Sequence, residues 1–369
     1  MAFPTLNTNE VLMSLYNMII GQRTFSDNLG GLDGSLVDKA RIEGSEFGDT
    51  YLYQSADILR TYKFVPVDAT ANGSTPDQMN VLQPFVPTRV NQQPITLDIL
   101  RQIPITIDRS LSRRAFIDEG AWYDFTNLLS DLLDQTKRVY DVTTYNTYVG
   151  TVESSVGKQK QTVTIPALAS GASAQEQVAH NKLLAETIAE KISNIFTELK
   201  DVSKDYNDLG YYRAFAPSDL IVVWNSDFVN KIKTAGLPEI YHSGDLASVF
   251  NFDNILPTKY FGTITAGTTS ATGGHTLEEA DINSEHYFAG EEIPASSTVE
   301  AGKSYTVDGN IVCKIIHKDS IPYMSGFVTR TEFINARNMN SSNQYLTFGH
   351  NTLTPIKNYP LITLRVTEA

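Results

Sequence analysis

Apolar residues recur at intervals of three and four between Asp118 and Gly150, where Trp122, Phe125, Leu128, Leu129, Leu132, Leu133, Val139 and Tyr140 fall on one stripe of a helical surface. Asp118 and Glu119 put negative charge beside the first free N–H groups, and Gly150 suits a left-handed stop. Unbroken, this helix would measure roughly 45 to 50 Å at about 1.5 Å per residue. An ordinary core helix of a large domain has the same periodicity, so the stripe alone does not decide between a compact body and a spine.

Ahead of the helix the period changes to two. Leu97, Ile99, Ile103, Ile105 and Ile107 alternate with mostly polar neighbours, the pattern of a half-buried strand. They read as the returning limb of a two-stranded arm from Leu59 to Asp108, with Gly48-Asp-Thr-Tyr-Leu-Tyr opening an extended stretch before it. Pro66, Pro76, Pro84, Pro87 and Pro94 interrupt helix and ladder between the limbs, and Ala71-Asn-Gly-Ser-Thr-Pro reads as loop. An isolated hairpin is marginal in water, so the arm calls for a partner surface. Val81, Leu82, Phe85 and Arg89 near its tip are the candidate contact residues, against the alternative of a solvated loop.

Asn7 and Glu10 have capping-box spacing ahead of Val11, Leu12, Leu15, Tyr16 and Ile19, which predicts a short N-terminal helix ending near Gly21. After the long helix, Gln161-Thr-Val-Thr-Ile-Pro is a predicted strand. Ser173 and Glu176 form a second capping box, opening a helix from Ala174 to about Lys204 on Val178, Leu184, Ile188, Ile192, Ile195, Phe196, Leu199 and Val202. Asp219-Leu-Ile-Val-Val-Trp is a buried strand running through Asn225 and Ser226 into a helix that ends at Gly236, which points to a mixed α/β lobe. Loops and short strands follow from Thr263 to Lys303. Asp308-Gly309 reads as a hairpin turn, and Leu361-Ile-Thr-Leu-Arg-Val returns a strand to the body.

Composition narrows the function classes. The 369 residues are 41% hydrophobic and 19% charged, enough apolar material for two or three lobes sharing a core. Lys plus Arg number 29 against 42 Asp plus Glu, a net charge of -13 that argues against clamping nucleic acid on a basic face. The single cysteine, Cys313, excludes an internal disulfide and sits in an apolar strand-like run as a small hydrophobe. The first residues lack a secretion signal, and no run approaches the ~20 apolar residues of a membrane span, so folding in a reducing cytoplasm is expected.

No local catalytic or metal motif emerges. Ala301-Gly-Lys-Ser lacks the first glycine and the following helix of a phosphate loop. The histidines His180, His242, His275, His286, His317 and His350 are scattered, and no Gly-x-Ser-x-Gly elbow occurs. No cofactor is expected.

The order of these parts resembles the major capsid proteins of tailed bacteriophages, the Hong Kong 97 (Johnson) fold, and within it the phi 29-type and picovirus podophages. The residues that carry the resemblance are Ile105-Thr-Ile-Asp-Arg-Ser-Leu-Ser-Arg-Arg-Ala-Phe leading into the helix and Thr136-Lys-Arg-Val-Tyr-Asp-Val-Thr-Thr-Tyr-Asn-Thr-Tyr-Val-Gly closing it. Asp219-Leu-Ile-Val-Val-Trp-Asn and Ile255-Leu-Pro add to it. The resemblance implies an α+β fold divided into an N-terminal arm (1–48), an E-loop β-arm (49–108), a spine helix with peripheral domain (109–172), an axial domain (173–316) and a return to the peripheral domain (317–369). It further implies a virion protein, assembled in the host bacterial cytoplasm through hexamers and pentamers into an icosahedral shell around double-stranded DNA. Portal, scaffolding or decoration proteins would be its neighbours, with no membrane. Some relatives cross-link the E-loop through lysine; none lies between Phe64 and Gln93, so no such bond is expected. A C-terminal immunoglobulin-like domain, present in some phi 29-type proteins, is not expected either. An encapsulin-type nanocompartment and a cytoplasmic α/β enzyme without a local motif are the alternatives.

Overall fold

The computed structural model describes residues 32, 34–59, 61, 90–108, 119–234, 253–266, 271–272, 298–299, 303–334 and 341–368. The helix expected after Asn7, most of the proline-rich part of the arm and its tip lie outside them. Within them the chain is α+β, with helices α1 (Leu36–Ala40), α2 (Glu119–Thr151), α3 (Ala174–Lys200) and α4 (Ser226–Thr234) on two five-stranded sheets.

The first sheet has the order β1 (Arg41–Glu43), β12 (Tyr323–Ile334), β13 (Ser341–Asn351), β3 (Val90–Asp108), β2 (Thr50–Ala56). The period of two in β3 is kept along its length: odd positions turn inward, with Ile95, Leu97 and Ile107 buried, and even positions face out. Residues 90–96 pair with β2, and from Leu97 onward the partner is β13. Among the described residues each half of β3 therefore has a ladder neighbour on one side only, and an edge is where a strand tolerates proline. Pro94, expected between the limbs, is inside β3 opposite Leu52, and Pro104 stands opposite Tyr345. The outgoing limb is β2, which lies before Leu59. Gly326 of β12 faces Gly349 of β13; at Gly326 backbone blocks a side chain, and at Gly349 the Leu97 side chain would have to shift. A Cβ on Gly326 would lie 2.2 Å from the Gly44 oxygen, and one on Gly349 2.5 Å from the Leu97 methyl.

The second sheet runs β4 (Lys160–Ile165), β14 (Leu361–Glu368), β11 (Ile311–His317), β5 (Leu220–Asn225), β6 (Ile255–Leu256). β11 is buried at every position, as a central strand covered on both faces must be. On one face Val222, Trp224, Ile315, Ile362 and Leu364 pack against Ile188, Ile192 and Ile195 of α3 and Phe228 of α4. On the other, Val223, Ile311 and Leu361 meet Val142, Tyr145 and Val149 of α2 with Leu36 and Val37 of α1. This sheet draws strands from three of the expected segments, since β4 and β14 join β5 and β11. Two minor ladders pair β7 (Gly262–Ala266) with β10 (Lys303–Val307) and β8 (Ala271–Thr272) with β9 (Thr298–Val299). The Asp308-Gly309 turn is thus no hairpin: β10 pairs with β7, whereas β11 pairs with β14 and β5.

α2 has 33 residues, about 50 Å of helix. Leu129 and Leu133 of the expected stripe are buried, but Leu132 is exposed, and the seam continues through Val142, Tyr145 and Val149. Gly150 does not stop the helix; it lies inside, with a φ outside the left-handed region. α3 starts as expected, with both reciprocal bonds of the Ser173–Glu176 capping box in place. Val178 near its start and Val202 beyond its end are exposed. Cys313 is buried, and burial raises its thiol well above the usual range.

Candidate functional site

The polar residues that α2 carries inward tie it to the first sheet. Asp141, 1% exposed, accepts from Lys137 Nζ at 2.7 Å and from the Tyr323 hydroxyl at 2.5 Å, while Arg41 lies 3.6 Å away. A buried carboxylate is tolerable when cations and a hydroxyl satisfy it in this way. Burial, then the charge of Asp141, raises the Tyr323 hydroxyl far above its ordinary range and keeps it protonated. One turn on, the Tyr145 hydroxyl donates to the Ile321 carbonyl at 3.0 Å, its ring edge-on to Tyr323.

His350 is the third member. Its Nδ1 lies 3.0 Å from the Asn351 carbonyl, which can only accept, so Nδ1 carries the proton and Nε2 accepts from the Tyr140 hydroxyl at 2.9 Å. Tyr140 in turn accepts from Arg101 Nε of β3 at 3.1 Å. Burial holds the His350 ring below its usual pKa, in keeping with a neutral imidazole. The network joins α2 to β1, β3, β12 and β13.

A second joint holds the end of α2 on the second sheet. Lys314, in the middle of β11 and fully buried, donates Nζ to the Val152 carbonyl at 2.5 Å. That carbonyl is at the negative end of the helix dipole, a favourable place for a cation. Around it Arg365 pairs with Glu153 and, at 3.1 Å, with Asp308, and Lys160 reaches Glu153 at 3.3 Å. Burial pushes the Lys314 ammonium down to about 7 against the attraction of Glu153. Burial alone would raise the Glu153 carboxyl, but the hydrogen bond and charge of Arg365 outweigh it and hold it below the usual range.

The arm is clamped at its root. Arg213 donates to the Ala56 carbonyl at 2.7 Å and to Asn358 at 2.8 Å, Tyr212 N–H donates to Asp57 at 3.0 Å, and Gln93 bonds both Pro355 and Lys357. Along this limb Tyr51, Leu52, Ile58, Leu59 and Val90 are exposed apolar residues. A cavity of about 350 Å³ beside α3 and α4 is lined by His180 and Lys231 among others, with His180 bonded to the Pro166 carbonyl at 3.0 Å. Among the described residues no group of His, Cys, Asp and Glu could hold a metal, and no helix is long and apolar enough to cross a membrane.

The tip residues Val81, Leu82, Phe85 and Arg89 lie outside the described residues. Sequence reasoning missed Asp141, Lys314 and Arg213. Only Lys314 left a signal, a lone charge in the apolar run Ile311-Val-Cys-Lys-Ile-Ile.

Comparison with known proteins places this architecture. The sequence profile described as Phi29-like phage major capsid protein matches residues 5–363. The capsid structure of Staphylococcus phage Andhra is similar at a TM-score of 0.60 and 12% identity, over 94% of this chain and 87% of that one. A chain from the structure of the head fiber and inner core protein gp22 of native bacteriophage P68 gives 0.56 and 12%, over 93% and 87%. No curated protein matches the sequence. At such identity the structures speak for the fold, while the profile spans nearly the whole chain. The chain belongs to the Phi29-like phage major capsid protein family and is a structural subunit of a phage head.

Proposed function

We propose that the chain assembles through hexamers and pentamers into an icosahedral shell around the double-stranded DNA of a tailed phage, without catalysis. Portal, scaffolding or decoration proteins are its further partners. The observation that carries this reading is the two-stranded limb of β2 and residues 90–96. It is fastened to the body by Arg213 and Gln93, yet it exposes Tyr51, Leu52 and Val90 along its length. A two-stranded ladder of this kind gains its stability from a surface laid against it.

In this reading residues 1–48 are the N-terminal arm and 49–108 the E-loop, with Val81, Leu82, Phe85 and Arg89 at its contact tip. The spine is α2 and the peripheral domain is the first sheet. The axial domain takes 173–316 together with β4 and β14, because these strands share its sheet. The net charge of -13 suits a wall along which DNA slides without sticking.

Sedimentation and negative-stain microscopy of the recombinant chain, alone and with a scaffolding partner, test the assignment. Closed shells are expected, and Phe85→Asp should leave a folded subunit that assembles poorly. Small uniform particles under both conditions would contradict it, and normal shells from Phe85→Asp would remove the tip from the contact.

A further inference from the structure

We propose that the joint between the end of α2 and the second sheet is a release point, at which residues 152–156 lift off β11 while the helix and the sheet stay folded. The joint rests on Lys314, in the middle of a strand that is buried at every position. Among the described residues its one hydrogen bond is to the Val152 carbonyl, and no carboxylate comes within ion-pair distance of it. Glu153 is taken instead by Arg365 and, at 3.3 Å, by Lys160. A buried cation held by a neutral acceptor recovers little of the hydration it has lost. The joint of α2 with the first sheet is built differently, since there Lys137 meets Asp141 at 2.7 Å.

Thr363 of β14 stands directly across from Lys314, and its hydroxyl is buried without a hydrogen bond among the described residues. Such an atom is a standing cost that water would remove. The charged groups around Lys314 are Glu153 after α2, Asp308 before β11, Arg365 of β14 and Lys160 of β4, so with Lys314 three cations face two carboxylates. Lifting residues 152–156 admits water to the ammonium and to the Thr363 hydroxyl and screens that surplus. Both flanks of the segment are held, Gly150 by its contact with Tyr260 and β4 by its ladder with β14. Between them the ties are side-chain bonds that water can replace, Glu153 to Arg365 and Lys160, and Ser154 to Asp208 at 2.5 Å.

Burial pushes the Lys314 ammonium down to about 7, whereas a solvated lysine keeps its ordinary 10.5. Between these values the opened joint binds a proton that the closed one lacks. Opening is therefore favoured as pH falls from about 10 to about 7 and gains nothing further below that. The neighbours leave this window clear. The Arg365 hydrogen bond and charge, outweighing burial, keep Glu153 ionised, and burial holds His317, farther along β11, below its usual value. Burial also raises the hydroxyls of Tyr145 and Tyr148 on α2 and the Cys313 thiol out of range, and across β5 the neighbour is Val223.

Hydrogen exchange of the dilute full-length chain between pH 7.5 and 9.5, where reclosing outruns exchange, is the test. The Val152 and Val156 amides, each hydrogen-bonded in the closed joint, should exchange at least about tenfold faster than those of Ile315 and Ile362 in the sheet. Exchange from an open amide itself speeds up about tenfold per pH unit, so uptake of one proton on opening should leave the observed Val152 rate nearly constant. In Lys314→Met that rate should climb about tenfold per unit, from a value at pH 7.5 about tenfold or more below the wild type. If this variant fails to fold, the wild-type pH course decides by itself. Val152 and Val156 amides that exchange no faster than Ile315 and Ile362 would overturn the proposal, because opening would then be global. So would a wild-type Val152 rate that climbs about tenfold per unit, because Lys314 would then take up no proton on release.

Discussion

The Cα of Gly150, in the last turn of the long helix, faces the carbonyl oxygen of Tyr260 so closely that a methyl group on it would lie 1.9 Å from that oxygen. The obstacle is backbone, held by the 3-10 turn at 258–260, so it cannot swing aside as a side chain could. The spine is thereby pressed against the segment between β6 and β7.

Gly150→Ala should destabilise the dilute subunit by about 2 to 3 kcal/mol, in the range of overpacked cores. Gly157→Ala, which meets no atom within 4 Å, should stay within about 0.5 kcal/mol of the wild type. Urea unfolding of the two variants checks both, and equal midpoints would contradict the close packing.

Lys314 gives a pH dependence of definite sign. Its folded-state pKa of about 7 is below the ordinary 10.5, so between these values the unfolded chain holds more protons than the folded one. The contribution of this group to stability therefore rises with pH through that window, and below it the full cost of burying the cation is present. Lys314→Met abolishes the titration. The stability of the variant minus that of the wild type should fall from about pH 6 to about pH 10. A difference that stays constant would mean that Lys314 keeps its ordinary pKa.

Tyr323→Phe removes one donor from the buried Asp141 carboxylate and should cost about 1 to 3 kcal/mol. Asp141→Asn should cost as much, and the double variant less than the sum, because both changes act on one network. Strict additivity in the double-mutant cycle would show that the two residues do not share an interaction.

Arg213→Ala should loosen the arm while sparing the body. Global stability should change by no more than about 1 kcal/mol, while amide exchange across Thr50–Ala56 and its partners in β3 accelerates by about tenfold. Unchanged exchange there would place the clamp elsewhere.

Much of this fold was legible where it depends on local spacing. The long helix, the capped helix after Ser173 and the alternating strand before Asp108 follow from residues that lie near one another in the chain. What was not legible depends on remote backbone. Gly150 looks like a stop until Tyr260 is in place, and Pro94 looks like a breaker until its half of β3 proves, among the described residues, to be laddered on one side only. Asp308-Gly309 does make a turn, but nothing local says that the strands beside it pair with different partners. Of the candidate contact surface, the arm was visible as apolar residues without a core. The acceptor of Lys314 was not, because Val152 lies 162 residues away in the chain.

Electron cryo-microscopy of particles assembled from the full-length chain, at a resolution that places side chains, tests the central claim most directly. The prediction is a closed shell in which the limb of β2 and residues 90–96 rests on a neighbouring subunit, with Tyr51, Leu52 and Val90 buried there. Uniform small particles, or a shell whose subunits leave that limb in solvent, would contradict it.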